Sequence, residues 1–347
     1  MSLFGYLQLG PKRYRERFGL SFEDVTVGLR ICHRPGIDVS QQDNRDESTD
    51  LINNAHLHYD SHYATQTEWK QPLGVSTMTV QRFFGMASRS WYRRRTLLGI
   101  QSIAMTGPVF GGDTLYSTST VTAVEDAGNP DVGIVSLVIE GSNQRGEIVA
   151  RIACRIEVYR RGRHPEDDPG AAPAREDRFR LHHTREDGSL VEQTGLVFED
   201  LAEGETFVHW PGRTIGKEEN ELHALRSLEI NPRWHDAAYR ARHGMAEHVY
   251  EPLVVGAVTA LTTRTFGRVV ANLGWTDIEL PRPVRVGETI YAESTIGQLR
   301  SSGSRPTQGI AQVDTRAFVG SGEIVCSYRR TLLLYRRGHG PYAAAGY

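Results

Sequence analysis

Cysteine is scarce in this sequence of 347 residues, which contains only Cys32, Cys154 and Cys326 and no CxxC pair. Such spacing excludes the usual zinc-binding patterns and a disulfide framework, so we expect no metal site. Cys154 and Cys326 lie within apolar runs that are typical of strands. We therefore predict buried, reduced thiols, which favours a reducing compartment.

Long hydrophobic runs are also missing, because no stretch approaches the roughly 18 consecutive apolar residues of a membrane-spanning helix. The first residues contain no apolar segment followed by a small-residue cleavage site. Neither sign of charge predominates, since 40 Lys and Arg against 42 Asp and Glu give a formal net charge of -2. This balance gives no electrostatic reason to expect nucleic acid or an acidic membrane as a partner. We expect a cytoplasmic protein with neither partner.

What the sequence does contain is an internal repeat. The segment GLSFEDVTVGLRICHRPG from Gly19 matches GLVFEDLAEGETFVHWPG from Gly195. Three further pairs of blocks, in the same order along the chain, begin at Gln71 and Glu251, Gly112 and Gly287, and Gly146 and Gly322. The shift between copies is nearly the same for all pairs and slightly longer for the pair at Gln71 and Glu251. Four matched blocks in one order predict tandem copies of a single domain.

Each copy has the same predicted order of elements. We place the domains at residues 18–161 and 195–338, joined by a polar linker over 162–194 with little capacity to form a core. In each domain a short strand precedes an apolar segment at helical spacing, and β-branched alternating runs follow. This order predicts an α+β domain whose antiparallel sheet packs around one helix. Pairing the two sheets edge to edge would cover their exposed edges and give a fused pseudo-dimer.

The repeated blocks resemble the MaoC-like (R)-specific enoyl-CoA hydratase family in its double-hotdog form, most closely the mesaconyl-CoA hydratases, also called β-methylmalyl-CoA dehydratases. The resemblance covers both copies and rests on the opening FED…G…H pattern, the GDTLYSTSTV and GETIYAEST blocks and the closing strand. It implies a double hotdog, in which each antiparallel sheet wraps around a central helix. Hotdog domains also host thioesterases, so these blocks specify the fold better than the reaction.

The signature of the hydratase family is roughly Asp-x-Asn-Pro-x-His, followed after five residues by a small residue. In the first copy, NNAHLHYDSHYA places Asn53 at the Asp position and His58 at the histidine. In the second copy, LEINPRWHDAAYRA offers Glu229 and His235, with one extra residue before the histidine. The resemblance thus implies these four residues as catalytic candidates, with an irregular spacing in the second copy.

The chemistry of hydration explains why these residue types belong together. Water must lose a proton as it attacks the β-carbon, and the α-carbon must gain one, which a histidine that titrates near neutral pH can do. The thioester oxygen needs hydrogen-bond donors as negative charge develops on it. The resemblance assigns these donors to the start of the central helix, near residues 73–74 and 253–254. No cofactor is required.

Several of these residues also have a structural interpretation. An isolated histidine is usually a satisfied polar residue, and Asn53 cannot be the base but only orients a water or the imidazole. His33 and His209 recur at equivalent positions, which predicts a shared structural role. The arginine-rich run 89–96 either holds the phosphates of coenzyme A or is a solvated helix end.

We therefore expect a hydro-lyase that reversibly hydrates an enoyl-CoA or dehydrates a 3-hydroxyacyl-CoA thioester, with an acyl group like that of mesaconyl-CoA or β-methylmalyl-CoA. Two alternatives stay open: an acyl-CoA thioesterase, and a non-catalytic hotdog that binds an acyl thioester without turnover. The acyl chain and its carrier, coenzyme A or an acyl carrier protein, are open as well. The expected partners are the acyl-CoA substrate and a second double-hotdog protomer.

Overall fold

A computed structural model describes residues 3–347 of the chain. Its helices and strands, in chain order, are β1 (Tyr6–Gly10), β2 (Arg13–Glu16), β3 (Arg30–Asp38), α1 (Gln41–Asp50), α2 (Ser61–Thr65), α3 (Ser76–Ala87), β4 (Arg94–Met105), β5 (Thr114–Asp126), β6 (Val132–Asn143), β7 (Ile148–Tyr159), β8 (Ala172–Pro173), β9 (His182–Thr184), β10 (Leu190–Glu192), β11 (Thr206–Thr214), α4 (Lys217–Arg226), α5 (Ala237–Arg242), α6 (Glu251–Phe266), β12 (Val269–Glu279), β13 (Thr289–Ser301), β14 (Gln308–Phe318) and β15 (Ile324–Tyr335).

Two sheets, built mainly from antiparallel strands, form the two halves of the molecule. One has the strand order β4-β7-β6-β5-β3-β10-β9, and the other has the order β12-β15-β14-β13-β11-β2-β1-β8. Helix α3 packs on β3, β5 and β6 of the first sheet, and α6 packs on β11, β13 and β15 of the second. The predicted α+β class, with one long helix packed on each sheet of a double hotdog, is confirmed.

The sequence pattern explains why each long helix lies on its sheet. Burial along β6 alternates residue by residue, so one face of the strand points into the core. Helix α3 buries Met78, Thr79, Phe83 and Ala87, which recur at helical spacing and share one face. The ring of Phe83 lies over Gly141 of β6, where a Cβ atom would be only 1.9 Å from the ring. Glycine at this position therefore lets the helix approach the sheet closely.

The two halves exchange short hairpins. The β1–β2 hairpin, which precedes the first copy, joins the second sheet, where β2 runs parallel to β11. The β9–β10 hairpin, which precedes the second copy, joins the first sheet, where β10 runs parallel to β3. The segment predicted as a linker also buries Phe179 and Leu181. The expectation that it contributes little to a core is therefore wrong, whereas the domain boundaries stay a prediction.

The starts of corresponding elements give the register of the repeat. Strands β3 and β11, and likewise helices α1 and α4, are related by the same shift as the blocks that begin at Gly19 and Gly195. The first residues of α3 and α6, Ser76 and Glu251, are related by nearly the same shift. Glu251 therefore corresponds to Ser76. The matching of the block at Gln71 with the block at Glu251 is wrong by five residues, because both blocks contain a similar apolar pattern at helical spacing.

The outer edges of the two sheets are not joined to each other. Strands β4 and β12 each have one neighbour, β7 and β15 respectively, within the part of the chain that the structure describes. The predicted pairing of the sheets edge to edge within the chain is therefore wrong, because the exchanged hairpins connect the halves instead.

One expectation drawn from composition has a structural counterpart. All three cysteines are free and buried, as predicted for Cys154 and Cys326. Burial raises the pKa of Cys154 and of Cys326 to about 11, so these thiols stay protonated near neutral pH. Within residues 3–347, no helix is long and apolar enough to cross a membrane, and no group of three potential ligands for a metal ion is found.

Candidate active site

His58 ends a 3-10 turn, His56–His58, that lies between α1 and α2. Its side chain is half-buried, and Nδ1 lies 2.8 Å from the carbonyl oxygen of Leu73, just before α3. A carbonyl oxygen only accepts, so Nδ1 must carry the proton when the ring is neutral. The lone pair is then on Nε2, the atom that can accept a proton from another molecule.

Asn44, on α1, ties the His58 turn to the start of α3. Its side chain is almost completely buried, at 1% exposure. The Nδ2 group donates to the carbonyl oxygens of His58, at 2.8 Å, and Leu73, at 3.0 Å. Its Oδ1 atom accepts the N–H of Val75 at 2.7 Å. One amide therefore uses both of its functional groups to fix the histidine relative to the helix.

The first turn of α3 has backbone N–H groups next to the candidate site. The N–H of Gly74 already donates to the carbonyl oxygen of Val109 at 2.7 Å. A Cβ atom on residue 74 would lie 2.9 Å from that oxygen. Val75 provides no side-chain cap, and Ser76 and Thr77 are exposed. The first N–H groups of a helix have no acceptor within it and carry the positive end of its dipole. The available donors are therefore at positions 76 and 77, not at 73 and 74 as predicted.

Asn53 and Glu229 occupy equivalent positions in the two copies, and each side chain accepts a hydrogen bond from a backbone N–H two residues later. The side chain of Asn53 accepts the N–H of Ala55 at 2.9 Å, and that of Glu229 accepts the N–H of Asn231 at 2.8 Å. Each bond shapes the start of the following 3-10 turn. No hydrogen bond joins the side chains of Asn53 and His58 in residues 3–347. A direct part for Asn53 in proton transfer stays a prediction.

The second copy places a different residue at the position of His58. Its 3-10 turn is Pro232–Trp234, so Trp234 corresponds to His58 and His235 corresponds to Tyr59. Trp234 is buried, with its ring edge-on to Tyr250 at 5.4 Å between ring centroids. The extra residue noted in the sequence thus moves the histidine out of register, and the structure does not give Glu229 and His235 the arrangement of Asn53 and His58.

The start of α6 also differs from that of α3. Pro252 is the second residue of the helix and has no N–H group to donate. The N–H groups of Leu253 and Val254 both point to the carbonyl oxygen of Tyr250. The donors predicted at 253–254 are therefore already used within the helix.

The asparagine of α1 was missed in the sequence, although the repeat contains a signal for it. Asn220 is the fourth residue of α4, as Asn44 is the fourth residue of α1. Its Nδ2 group donates to the carbonyl oxygen of His248 at 3.0 Å, and its Oδ1 atom accepts the N–H of Tyr250 at 2.8 Å. A buried amide that recurs within two polar helices indicates a shared role in holding the following helix.

Two buried histidines stabilise the junction between the halves. His33 lies 2.9 Å from Glu192, and His209 lies 3.1 Å from Glu16, each through Nδ1. The Nε2 atom of each ring is bonded to a serine of its own sheet. Both glutamates belong to the exchanged hairpins, so the predicted shared structural role of the two histidines is confirmed.

The arginine-rich run 89–96 follows α3 and leads into β4. Arg93 is buried and pairs with Asp167 at 2.6 Å, and Arg95 pairs with Glu157 at 2.7 Å. The interpretation as a solvated helix end is wrong for Arg93. These arginines contact separate carboxylates and do not converge on one anion, which argues against a phosphate site here.

Equivalent grooves run along the outer faces of the two long helices. The groove beside α3 has a volume of about 610 Å³, and the groove beside α6 has a volume of about 570 Å³. Both volumes are within the range of small-molecule sites. Met78 lines the first groove and Leu253 lines the second, but neither groove is lined by His58 or His235.

Comparison with known proteins finds similarity to the family that the motifs resemble. The profile of the mesaconyl-CoA hydratase family matches residues 177–346. The mesaconyl-CoA hydratase of Haloarcula hispanica is 29% identical over 154 residues, which are 44% of this chain and 43% of that protein. The mesaconyl-CoA hydratase of Cereibacter sphaeroides is 34% identical over 145 residues, 41% of this chain and 42% of that protein. The chain thus spans about two fifths of the length of these relatives, and the resemblance is confirmed over that part.

Solved structures with similar chains include two that match over most of the length. A MaoC domain protein dehydratase from Chloroflexus aurantiacus has a TM-score of 0.41 and 20% identity, covering 92% of this chain and 98% of the other. A protein from Mycobacterium tuberculosis, described as having a double hotdog fold, has a TM-score of 0.39 and 18% identity, covering 91% and 99%.

Proposed function

We propose that the N-terminal copy is a hydro-lyase that hydrates an enoyl-CoA thioester, and dehydrates the corresponding 3-hydroxyacyl-CoA, with His58 as the acid–base. The observation that carries this proposal is the bond from Nδ1 of His58 to Leu73, which directs the lone pair to Nε2. The histidine is thereby fixed next to the open first turn of α3. The similarity of residues 177–346 to the mesaconyl-CoA hydratase family lies in the other copy, so it supports the class of substrate for the chain as a whole and makes mesaconyl-CoA the first one to test.

The reaction follows from these two features. Nε2 of His58 takes one proton from water as the water oxygen bonds to the β-carbon and the C=C electron pair moves towards the thioester. Negative charge develops on the thioester oxygen, where the N–H groups of Ser76 and Thr77 donate. The imidazolium then returns its proton to the α-carbon, so the net change is addition of one water. Acid–base groups of this kind contribute roughly 100- to 10,000-fold, and an oxyanion donor about 100- to 1,000-fold.

The differences between the copies support activity in the N-terminal one. Trp234 stands where the second copy would need its histidine, and an indole has no lone pair available to take a proton. Pro252 removes one donor from the start of α6. The second copy therefore lacks the base and one of the two donors that this mechanism uses.

Hydration is tested by the loss of enoyl absorbance when the purified protein is mixed with mesaconyl-CoA or crotonyl-CoA. We expect His58→Ala to lower kcat by at least about 100-fold, as for the loss of a general acid–base. His235→Ala is the matched control, because it removes a histidine of the other copy that lies next to Trp234, the residue at the position of His58. The activity of this variant should equal that of the wild type.

The same assay separates the alternatives. Unchanged turnover in His58→Ala, or an equal loss in His235→Ala, contradicts the assignment of the base. Release of free thiol from the acyl-CoA, detected with a thiol reagent and without hydration, indicates a thioesterase instead. Tight binding of both thioesters without hydration or thiol release indicates a binding protein.

A further inference from the structure

The groove beside α3 is lined by three arginines, Arg34, Arg82 and Arg89. The Nε–H donor of each one is buried and has no hydrogen-bond acceptor within residues 3–347. A buried donor without an acceptor is energetically unfavourable, and proteins normally satisfy such groups. Three unused donors along one groove therefore favour a ligand that accepts hydrogen bonds.

Aromatic rings hold two of these arginines in place. The guanidinium carbon of Arg34 lies 4.7 Å from the ring centre of Tyr116 and 5.6 Å from that of Tyr347. The guanidinium carbon of Arg89 lies 5.2 Å from the ring centre of Phe18. A guanidinium stacked on a ring is held through its face, whereas its N–H donors lie in its plane. The rings therefore orient both side chains and leave donors available to an anion.

Neither of the two stacked arginines pairs with a carboxylate in the part of the chain that the structure describes. Arg34 donates from Nη1 to the carbonyl oxygen of His33 at 2.8 Å, and Arg89 makes no hydrogen bond there. Arg89 thus differs from Arg93 and Arg95 of the same arginine-rich run, each of which has a carboxylate partner. Burial lowers the pKa of Arg34, but a guanidinium stays charged near neutral pH. A half-buried charge of this kind is stabilised by an anion.

The remaining charges of the groove are already engaged. Arg82 lies 3.3 Å from Asp43. Glu47 also lines the groove, and its carboxylate accepts a hydrogen bond from Nε2 of Gln81 at 2.9 Å. Two cations without a carboxylate partner are left in the groove, which matches the charge of a phosphate ester or a diphosphate.

The stacking at Arg34 recurs in the second copy without the charge. The register of β3 and β11 places Trp210 at the position of Arg34. The ring of Trp210 stacks on Tyr291 with 5.5 Å between ring centroids, as Arg34 stacks on Tyr116. Both halves therefore accept a flat side chain at this position, and only the first copy gives it a positive charge.

The other two arginines differ between the copies as well. The register of α3 and α6 places Ala257 at the position of Arg82 and Arg264 at the position of Arg89. Arg264 donates from Nη1 to the carbonyl oxygen of Pro211 at 2.8 Å. The second copy therefore keeps one of the three arginines, and that one already has an acceptor.

We propose that the groove beside α3 binds an organic phosphate of the size of a nucleotide, with its phosphates held by Arg34 and Arg89. A guanidinium binds phosphate oxygens through two parallel N–H···O bonds. Met78 and Met86 also line the groove and offer an adaptable apolar surface to the organic part of the ligand. A free nucleoside diphosphate and the nucleotide part of coenzyme A both have this chemistry. The second source rests on the proposed function, since coenzyme A then carries the substrate.

Calorimetric titration of the full-length protein with ADP and with free coenzyme A tests the site without turnover. We expect one site per chain for at least one of them, and no binding of adenosine, which has no phosphate. Arg34→Trp and Arg89→Met should each raise the dissociation constant about 10- to 100-fold, as for a lost hydrogen bond to a charged group. Arg82→Ala should raise it less, because Asp43 already neutralises this arginine.

The second copy supplies the controls. Trp210 shows that the fold accepts tryptophan at the position of Arg34. Arg264→Met is the matched control for Arg89→Met, because it removes the equivalent arginine from the other groove, and it should bind as the wild type does. Circular dichroism checks that each variant is folded.

The outcomes separate the two sources from a wrong proposal. Binding of coenzyme A but not of ADP, weakened in Arg34→Trp, assigns the groove to the carrier of the substrate, and the reverse assigns it to a free nucleotide. Absence of binding by both, unchanged affinity in Arg34→Trp and Arg89→Met, or an equal loss in Arg264→Met overturns the proposal. His58→Ala should bind both probes as the wild type does, so failure of this site and failure of hydration are separate results.

Discussion

The stability of the fold should depend on pH through one histidine of the exchanged hairpins. His182, on β9, is buried, and its Nε2 atom is bonded to Ser90 at 2.9 Å. Burial lowers the pKa of His182 from 6.5 to about 4. Below pH 6.5 the unfolded chain therefore binds a proton that the folded protein does not bind until about pH 4. The free energy of unfolding falls as the pH falls through this window.

The magnitude follows from the difference in pKa, since one unit corresponds to about 1.36 kcal/mol. At pH 5, the unfolded state is protonated at this site and the folded state is mostly not, so the loss relative to pH 7.5 is about 2 kcal/mol. Below the folded pKa the loss approaches about 3 kcal/mol. Because other groups also contribute to the pH dependence, the quantity to compare is the difference between wild type and variant in this loss of unfolding free energy.

The repeat supplies the matched variants. Tyr6 occupies the position of His182 in the other hairpin, and its hydroxyl is bonded to Thr265 at 3.0 Å. His182→Tyr therefore installs a side chain that the fold already uses at this place and that does not titrate between pH 5 and 7.5. Tyr6→Phe is the control that keeps His182. Urea denaturation at pH 7.5 and pH 5 gives the free energy of unfolding for each protein.

We expect the wild type and Tyr6→Phe to lose about 2 kcal/mol more than His182→Tyr between these pH values. An equal loss in all three would refute the buried, neutral histidine as the cause. His182→Gln, which keeps a polar group near Ser90 without titrating, should behave like His182→Tyr and guards against a packing effect of the larger ring.

Further predictions concern the loop that holds His58. Asn44→Ala and Asn220→Ala should each lower the free energy of unfolding by about 1–3 kcal/mol. Asn44→Ala should also lower kcat about 10- to 100-fold, because the histidine is held less firmly, whereas Asn220→Ala should leave kcat unchanged. Equal kcat values in the two variants would show that Asn44 acts only on the fold. Ile52 is exposed with φ of 55°, a conformation that costs a β-branched residue about 1–2 kcal/mol. Ile52→Gly should therefore raise the free energy of unfolding in urea by about 1 kcal/mol, and a decrease would contradict this.

Local periodicity and the repeat were sufficient to predict the class of fold. The apolar spacing around Phe83 indicated the helix, and the alternating runs indicated the antiparallel strands. The exchange of hairpins was not predictable in this way. Strands β2 and β10 have only four and three residues, too few for a periodic pattern, and their partners lie far away in the chain. The one signal was the recurrence of a glutamate at Glu16 and Glu192, which local patterns do not connect to a histidine.

The candidate site was predictable to the extent that it depends on one loop. The motif made His58 a candidate, but it did not show which residue holds the ring, because Leu73 contributes only a backbone oxygen. In the second copy, the motif matched His235 because this histidine lies directly after the position that corresponds to His58. Only the end of the 3-10 turn at Trp234 shows which residue takes the place of His58.

The second copy shows that this loop can keep its structure without the histidine. Asn220 holds the start of α6 as Asn44 holds the start of α3, although a tryptophan stands in place of the histidine. Holding the helix is therefore the role that both copies need. The bond from Asn44 to the carbonyl oxygen of His58, at 2.8 Å, is additional to that role. Because this bond acts on the residue that we propose as the acid–base, it is the contact through which a structural amide would affect proton transfer, and the comparison of Asn44→Ala with Asn220→Ala isolates its contribution.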